Sequence, residues 1–389
     1  MNSTHKGDMR MRTASNFTRI ALWAASAAFV LASAVPAYGV PAWSRRYGAP
    51  CGLCHSYPSL QLTADGLDFY RRGHRLKNDT YDKDFTHLLS SHVEWEYNLK
   101  EGESTAFTRP DLHLHAGGAL SPVFSVYADA NVNGTDLESI YLQATKEWGD
   151  TTYVTARGGK ISPTIIRNYG NGLMASASAP SILTDTALGD NPFTPARDSY
   201  GVDVAGRWNA LFVQAGVING DNISGQAAVN NHKDVYATAE LTLPGSVSGV
   251  GLYAYRGGYD LGDPTVTSLF DRYERYGVFA NFTRDKFRIA GAYLVGTDRI
   301  QTQDDRKLHG FYVQGDVHPF DWLVSFARYD DVTTEGEQGD DRLRKGTLGC
   351  SFRVYESDVT GGRLVLEVSR KQEAGVTTNA ALFNVLWAF

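Results

Sequence analysis

From Ser91 onward the chain alternates apolar and polar residues, the two-residue period of strands with unlike faces. The first run is the clearest. Val93, Trp95, Tyr97 and Leu99 share one face, while His92, Glu94, Glu96, Asn98 and Lys100 share the other. After a turn over 101–104, Leu112, Leu114 and Ala116 oppose Asp111, His113 and His115. An apolar outward face backed by a polar inward one is the dyad signature of a transmembrane barrel. Further runs fall at 123–131, 137–146, 151–158, 200–208, 211–219, 234–243, 250–256, 274–283, 286–295, 308–317, 322–329, 343–355, 363–371 and 377–389. The total is about sixteen strands, an even number, as in bacterial single-chain barrels.

Connection lengths support this topology. Links after even-numbered strands are tight, as at Trp148-Gly149-Asp150, Asn209-Ala210 and Arg284-Asp285. Several after odd-numbered strands are long: 159–199, 220–233, 257–273 and 335–342. Short periplasmic turns alternating with longer outer loops are expected of such barrels, and this places both chain ends in the periplasm. Trp95, Tyr97, Trp148, Trp208, Trp322 and Trp387 gather near strand ends, where interfacial girdles form. The loop over 159–199 is rich in proline and glycine, so it predicts no strand. A loop of that length is functional, disordered or folded into the lumen.

Composition changes the picture at the N-terminus. Lys6, Arg10, Arg12 and Arg19 precede an apolar stretch over 20–34, and small residues then offer a cleavage point after Gly39. Residues 1–39 therefore read as a signal peptide, too short in its apolar part for a spanning helix. Its four basic residues and Asp8 carry +3, so the −6 of the whole chain becomes −9 in the mature protein. No basic stripe survives, which argues against nucleic acid as a partner. The expected organisation is a signal peptide over 1–39, a haem-bearing segment over 40–90 and an outer-membrane barrel over 91–389.

The haem expectation rests on Cys51-Gly52-Leu53-Cys54-His55, which fits C-x-x-C-H. Two thiols at this spacing reach the two vinyl groups on one edge of the macrocycle, and the next histidine becomes an axial ligand. One covalently attached haem c is therefore expected on Cys51, Cys54 and His55. A redox disulfide and a zinc half-site are the competing readings. Zinc lacks a second cysteine pair, and the thioredoxin-like βαβ pattern is missing. The third cysteine, Cys350, reads as a small strand residue.

The second axial ligand is more open. His74, after a predicted helix over 64–72, is the nearest candidate, set against a solvated histidine in a basic turn. Met174, the last methionine outside the signal, offers a His/Met alternative. His92, His113 and His115 form a further group. With the first turn centred between Gly102 and Glu103, His92 faces His113, Glu94 faces Asp111 and Glu96 faces Arg109. The three histidines could ligate haem, hold a metal or line the lumen, and polar lining is the preferred reading.

The run from Val40 through Trp43, Arg46, Gly48 and the haem motif to Pro58-Ser59-Leu60 resembles the N-terminal segment of the fused monohaem cytochrome–porins. The element Gly66-Leu67-Asp68-Phe69-Tyr70-Arg71-Arg72-Gly73 continues the likeness. That family includes outer-membrane iron oxidases. This chain departs from them in having Arg45-Arg46-Tyr47 where they tend to show Ala-Arg-Gln-Thr, and His74 where an aromatic often follows the second glycine. The resemblance implies a haem segment that plugs the barrel. It also implies electron transfer between an extracellular donor or acceptor, ferrous iron among the candidates, and a periplasmic c-type cytochrome or other carrier.

Only about 35 residues separate His55 from the first strand, too few for a separate domain of ordinary size. The fold expected is thus all-β, a transmembrane antiparallel barrel in outer-membrane lipid, with a small α-helical haem segment as plug. A diffusion porin gated by that segment and a haem peroxidase-like enzyme are the competing functions.

Overall fold

The computed structural model describes residues 42–388 apart from 57–58, 60, 78–84, 103–105, 109, 133–136, 164–173, 187–190, 192, 196–197, 221–231, 262–268, 301–303, 337–338 and 357–359. The export signal expected over 1–39 and the terminal Phe389 lie outside these residues. No helix among the described residues is long and apolar enough to cross a membrane.

Alternation builds a closed antiparallel barrel. Its first stave is β3 (Leu89–Lys100), preceded by a two-stranded ladder of β1 (His55–Ser56) and β2 (Gln61–Leu62). The second stave is interrupted, with β4 (Ala106–Phe107) and β5 (Asp111–Ala119) both pairing with β3. Fourteen more follow as β6 (Phe124–Asn131), β7 (Leu137–Glu147), β8 (Thr152–Ile161), β9 (Ser199–Trp208), β10 (Leu211–Ile218), β11 (Asp234–Thr242), β12 (Gly249–Leu261), β13 (Leu269–Arg284), β14 (Phe287–Ile300), β15 (Arg306–Phe320), β16 (Leu323–Gly336), β17 (Gly339–Glu356), β18 (Gly361–Glu373) and β19 (Val376–Ala388). Counting the interrupted pair once gives the expected sixteen. β19 closes the ring on β3, with Trp387 opposite Val93.

The two faces differ as the alternation predicts. Val204 and Leu348 on the outside are 56% and 60% exposed, whereas Arg275 and Gln314 on the inside are almost wholly buried. An apolar belt around a polar interior suits a lipid slab, because a closed ring leaves no backbone group unsatisfied. Near the mouth with the short turns, Trp322 stacks on Phe320 at 5.3 Å and Tyr355 on Trp387 at 5.6 Å. Cys350 lies within β17 with its thiol 3.5 Å from the Ser325 hydroxyl, as a strand residue should.

Three expectations need correction. The loops expected over 257–273 and 335–342 are largely strand, since β12, β13, β16 and β17 run into them. β17 alone has 18 residues, against the ~10 that span a bilayer. Above the apolar belt the outward residues are polar, so alternation no longer marks the strand. β8 likewise runs on to Ile161. Glu96 was expected opposite Arg109, but the register moves by one across Pro110 and Thr108 takes that place, its N–H donating to Glu96 O at 3.0 Å. A proline cannot donate to the ladder, which is where such breaks occur. Arg109 itself lies outside the described residues. The expected pairs His92–His113 and Glu94–Asp111 do form.

The inner volume is occupied from both ends. The loop after β8 turns inward, where Asn191 donates to Asp271 at 2.7 Å and Arg328 donates to Ser178 O at 2.6 Å. The N-terminal segment fills the opposite mouth.

Candidate functional site

The N-terminal segment is built from three short helices: α1 (Ala42–Tyr47), α2 (Cys51–Cys54) and α3 (Ala64–Arg71). Pro50 precedes α2 with the extended backbone of an N-cap, and a single turn then carries both cysteines. Residues three apart on a helix share a side, so the two thiols lie on one edge of that turn. His55 leaves the helix in extended conformation and pairs with Leu62. Cys51, Cys54 and His55 are all half-buried, and both cysteines are thiols rather than a disulfide.

Thr63 locks this turn to α3. Its backbone N–H donates to Cys54 O at 2.9 Å, its hydroxyl donates to Leu53 O, and the same hydroxyl accepts from Gly66 N at 3.1 Å as the cap of α3. Gly66 permits the approach, since a Cβ there would lie 2.0 Å from Cys54 O. Gly66→Ala is therefore expected to push α3 off the cysteine turn and cost about 1–3 kcal/mol. A lower melting temperature for the N-terminal segment, followed by limited proteolysis, checks this; an unchanged cleavage pattern would refute it.

Burial pushes the Cys54 thiol up to about 11, with Asp65 and then Cys51 adding to the effect.

His74 follows Gly73, and both residues have positive φ. A Cβ on Gly73 would lie 2.2 Å from the Ser125 hydroxyl of the barrel wall, so only glycine fits the chain against β6 here. His74 is 3% exposed, against the competing reading of a solvated histidine in a basic turn. Its ring stacks on Trp43 at 4.7 Å and on Tyr127 at 4.4 Å, with Phe69 and Tyr70 edge-on. Its Nδ1 has no hydrogen-bond partner. Burial, then Arg157 and His115, lowers it to about 3, so the imidazole is neutral, the form that ligates metals. Met174 is buried in an apolar cluster with Ile182, Leu183 and Phe193, which gives it a packing role in the inward loop. The structure brings His92, His113 and His115 together on the inner wall, where His115 and His74 both flank Tyr127.

Sequence reasoning missed the residues that seat the segment. Arg72 is almost wholly buried and pairs with Asp68 at 2.6 Å and Glu147 at 2.9 Å, its guanidinium over the Tyr153 ring. Arg71 pairs with Glu240 at 2.8 Å and lies over Phe212. Arg75 donates to Pro122 O at 2.7 Å, Trp43 to Gly117 O at 2.8 Å and Gln61 to Asp316 at 2.6 Å. Arg363 reaches in to Ser59 O. These partners sit on β5, β7, β8, β10, β11, β15 and β18 and on the turn after β5, so the segment crosses the mouth from one wall to the other. The available signal was the three arginines in an otherwise polar segment ahead of an acid-rich lumen.

Among solved structures, the chain is similar to OmpT of Vibrio cholerae, with 13% identity, a TM-score of 0.57, and 77% of this chain and 96% of that one covered. It is likewise similar to an anion-selective porin from Comamonas acidovorans, at 9% identity and TM-score 0.56 over 77% and 98%. The outer membrane channel DcaP of Acinetobacter baumannii matches at 10% and 0.51 over 77% and 96%. The fold is that of the outer-membrane porin barrels. No family model matches, and no curated protein matches in sequence.

Proposed function

We propose that this chain is an outer-membrane electron conduit, carrying one haem c on Cys51, Cys54 and His55 within the mouth of the barrel. The reading passes electrons between an extracellular donor or acceptor and a periplasmic carrier, with the chain ends on the periplasmic side. One observation carries it: the segment with the C-x-x-C-H motif is held across the lumen by buried ion pairs instead of hanging free. The residues fit the group, because two thiols share one edge of a turn and the next residue is a histidine. His74, whose Nδ1 is buried and unpartnered, would be the further residue to hold the group.

A bound haem would supply one-electron chemistry at its iron. The chain's own contribution is position and insulation. Thr63 and Gly66 fix the cysteine turn against α3, and the arginine clamps fix α3 against the wall. Trp43, Phe69, Tyr70 and Tyr127 exclude water beside His74. A seated segment also counts against the diffusion-porin reading, since it occupies the lumen that a solute would use.

The test is a pyridine haemochrome assay on the purified chain with redox-dependent absorbance. One covalently bound haem per chain with a low-spin spectrum is expected; a chain without haem would overturn the reading. His74→Ala is expected to convert the spectrum to high spin, as loss of a second ligand should. A persistent low-spin spectrum would refute His74 and leave Cys51, Cys54 and His55 standing.

A further inference from the structure

We infer that His92, His113 and His115 form a binding site for a divalent first-row transition-metal ion on the inner wall of the barrel, with Asp129 as the acid beside it. This site is distinct from the C-x-x-C-H motif and does not depend on a haem being attached.

The cluster is assembled by register. His92 on β3 pairs directly with His113 on β5, and His115 follows two residues later on the same face. β6 brings Asp129 opposite His115. One ring nitrogen from each of the three histidines lies within 4.8 Å of the other two. His92 Nδ1 and His115 Nε2 are 2.7 Å apart, and the rings of His92 and His113 stack at 4.4 Å. Nitrogen ligands about 2.0–2.1 Å from a metal lie roughly 3.3 Å from one another, so small rotations admit an ion between them.

The surroundings match those of bound imidazoles. A ligating histidine commonly donates its second nitrogen to an acid or another polar group, which fixes its tautomer. Here His113 Nδ1 lies 3.0 Å from Asp129 Oδ1, and His115 Nδ1 lies 3.2 Å from the Tyr127 hydroxyl. Glu138, about half exposed, stands 3.9 Å from His113 and marks the open side of the cluster. Asp129 and Glu138 stand beside the three imidazoles and offset the charge of a divalent cation. Imidazole-rich sites with a carboxylate suit Zn²⁺, Cu²⁺, Ni²⁺ and Fe²⁺ over Ca²⁺ or Mg²⁺.

Full-length chain in detergent, freed of metal by chelator, would be titrated with Zn²⁺ in a calorimeter and with Cu²⁺ under electron paramagnetic resonance. One equivalent of Zn²⁺ and nitrogen couplings from several imidazoles are expected. The double variant His92→Gln with His115→Gln is expected to bind at least tenfold more weakly, and Asp129→Asn about tenfold more weakly. The Cys51→Ala/Cys54→Ala chain should bind as the parent does, which separates this site from the haem reading. Absence of stoichiometric binding by the parent would overturn the proposal, as would unchanged affinity in the double variant. Gel mobility before and after heating confirms that each variant is a folded barrel. If a variant does not fold, the Cu²⁺ spectrum of the parent decides, an oxygen-only coordination sphere counting against the site.

Discussion

Replacing Cys51 and Cys54 together by alanine is expected to abolish covalent haem while leaving the barrel folded. Both cysteines lie on α2, and no stave pairs with that turn. The ring of sixteen staves is held by its own ladders and apolar belt, so loss of the group should not open it. The expected effect on electron transfer from the cell surface is complete loss. Haem staining on a denaturing gel measures the first consequence, and reduction or oxidation of an external mediator by whole cells measures the second. A double variant that no longer stains yet still exchanges electrons at the parental rate would sink the conduit.

Deleting residues 42–77 is expected to turn a poorly conducting barrel into an open one. Sixteen-stranded barrels are wide enough to leave an aqueous channel when nothing fills them. Here the mouth is filled by α1 to α3, and the loop after β8 reaches in from the other end. Single-channel conductance in planar bilayers should therefore rise about tenfold or more on deletion, short of a fully open porin because the inward loop stays. A milder form of the same test is Arg72→Ala, which removes the guanidinium from both Glu147 and Asp68. Breaking a buried pair costs about 3–5 kcal/mol, so intermittent opening is expected in place of a steady channel. Equal conductance in the parent and the deletion would mean that the segment does not seal the barrel.

The staves were legible because lipid on one side and water or protein on the other imposes a strict period of two, as at Val93 to Lys100. Their outer ends were not, because strands such as β13 and β17 continue past the apolar belt, where the outward residues are polar while inward ones such as Tyr273 and Leu343 pack into the core. The slip at Pro110 was also hidden, since turn length alone does not fix a register that a missing N–H can shift. At the site, the motif Cys51 to His55 was plain from spacing. The burial of His74 was not, because Arg71, Arg72 and Gly73 before it look like a solvated turn. Their charge is neutralised by Glu147 and Glu240, acids that nothing local in the sequence connects to them. The meeting of His92 with His113 was legible, since hairpin pairing sets it, whereas the arrival of Asp129 depended on the next stave.

The contact from Arg363 to Ser59 O joins residues 304 positions apart, and it bears on the order of assembly. The N-terminal segment is made first, yet β15 and β18, which hold its far side, are made among the last. Seating must therefore wait for the final hairpins. On the proposed reading, a haem on Cys51 and Cys54 would be attached before that step, and a chain arrested before ring closure would carry it with no wall around it.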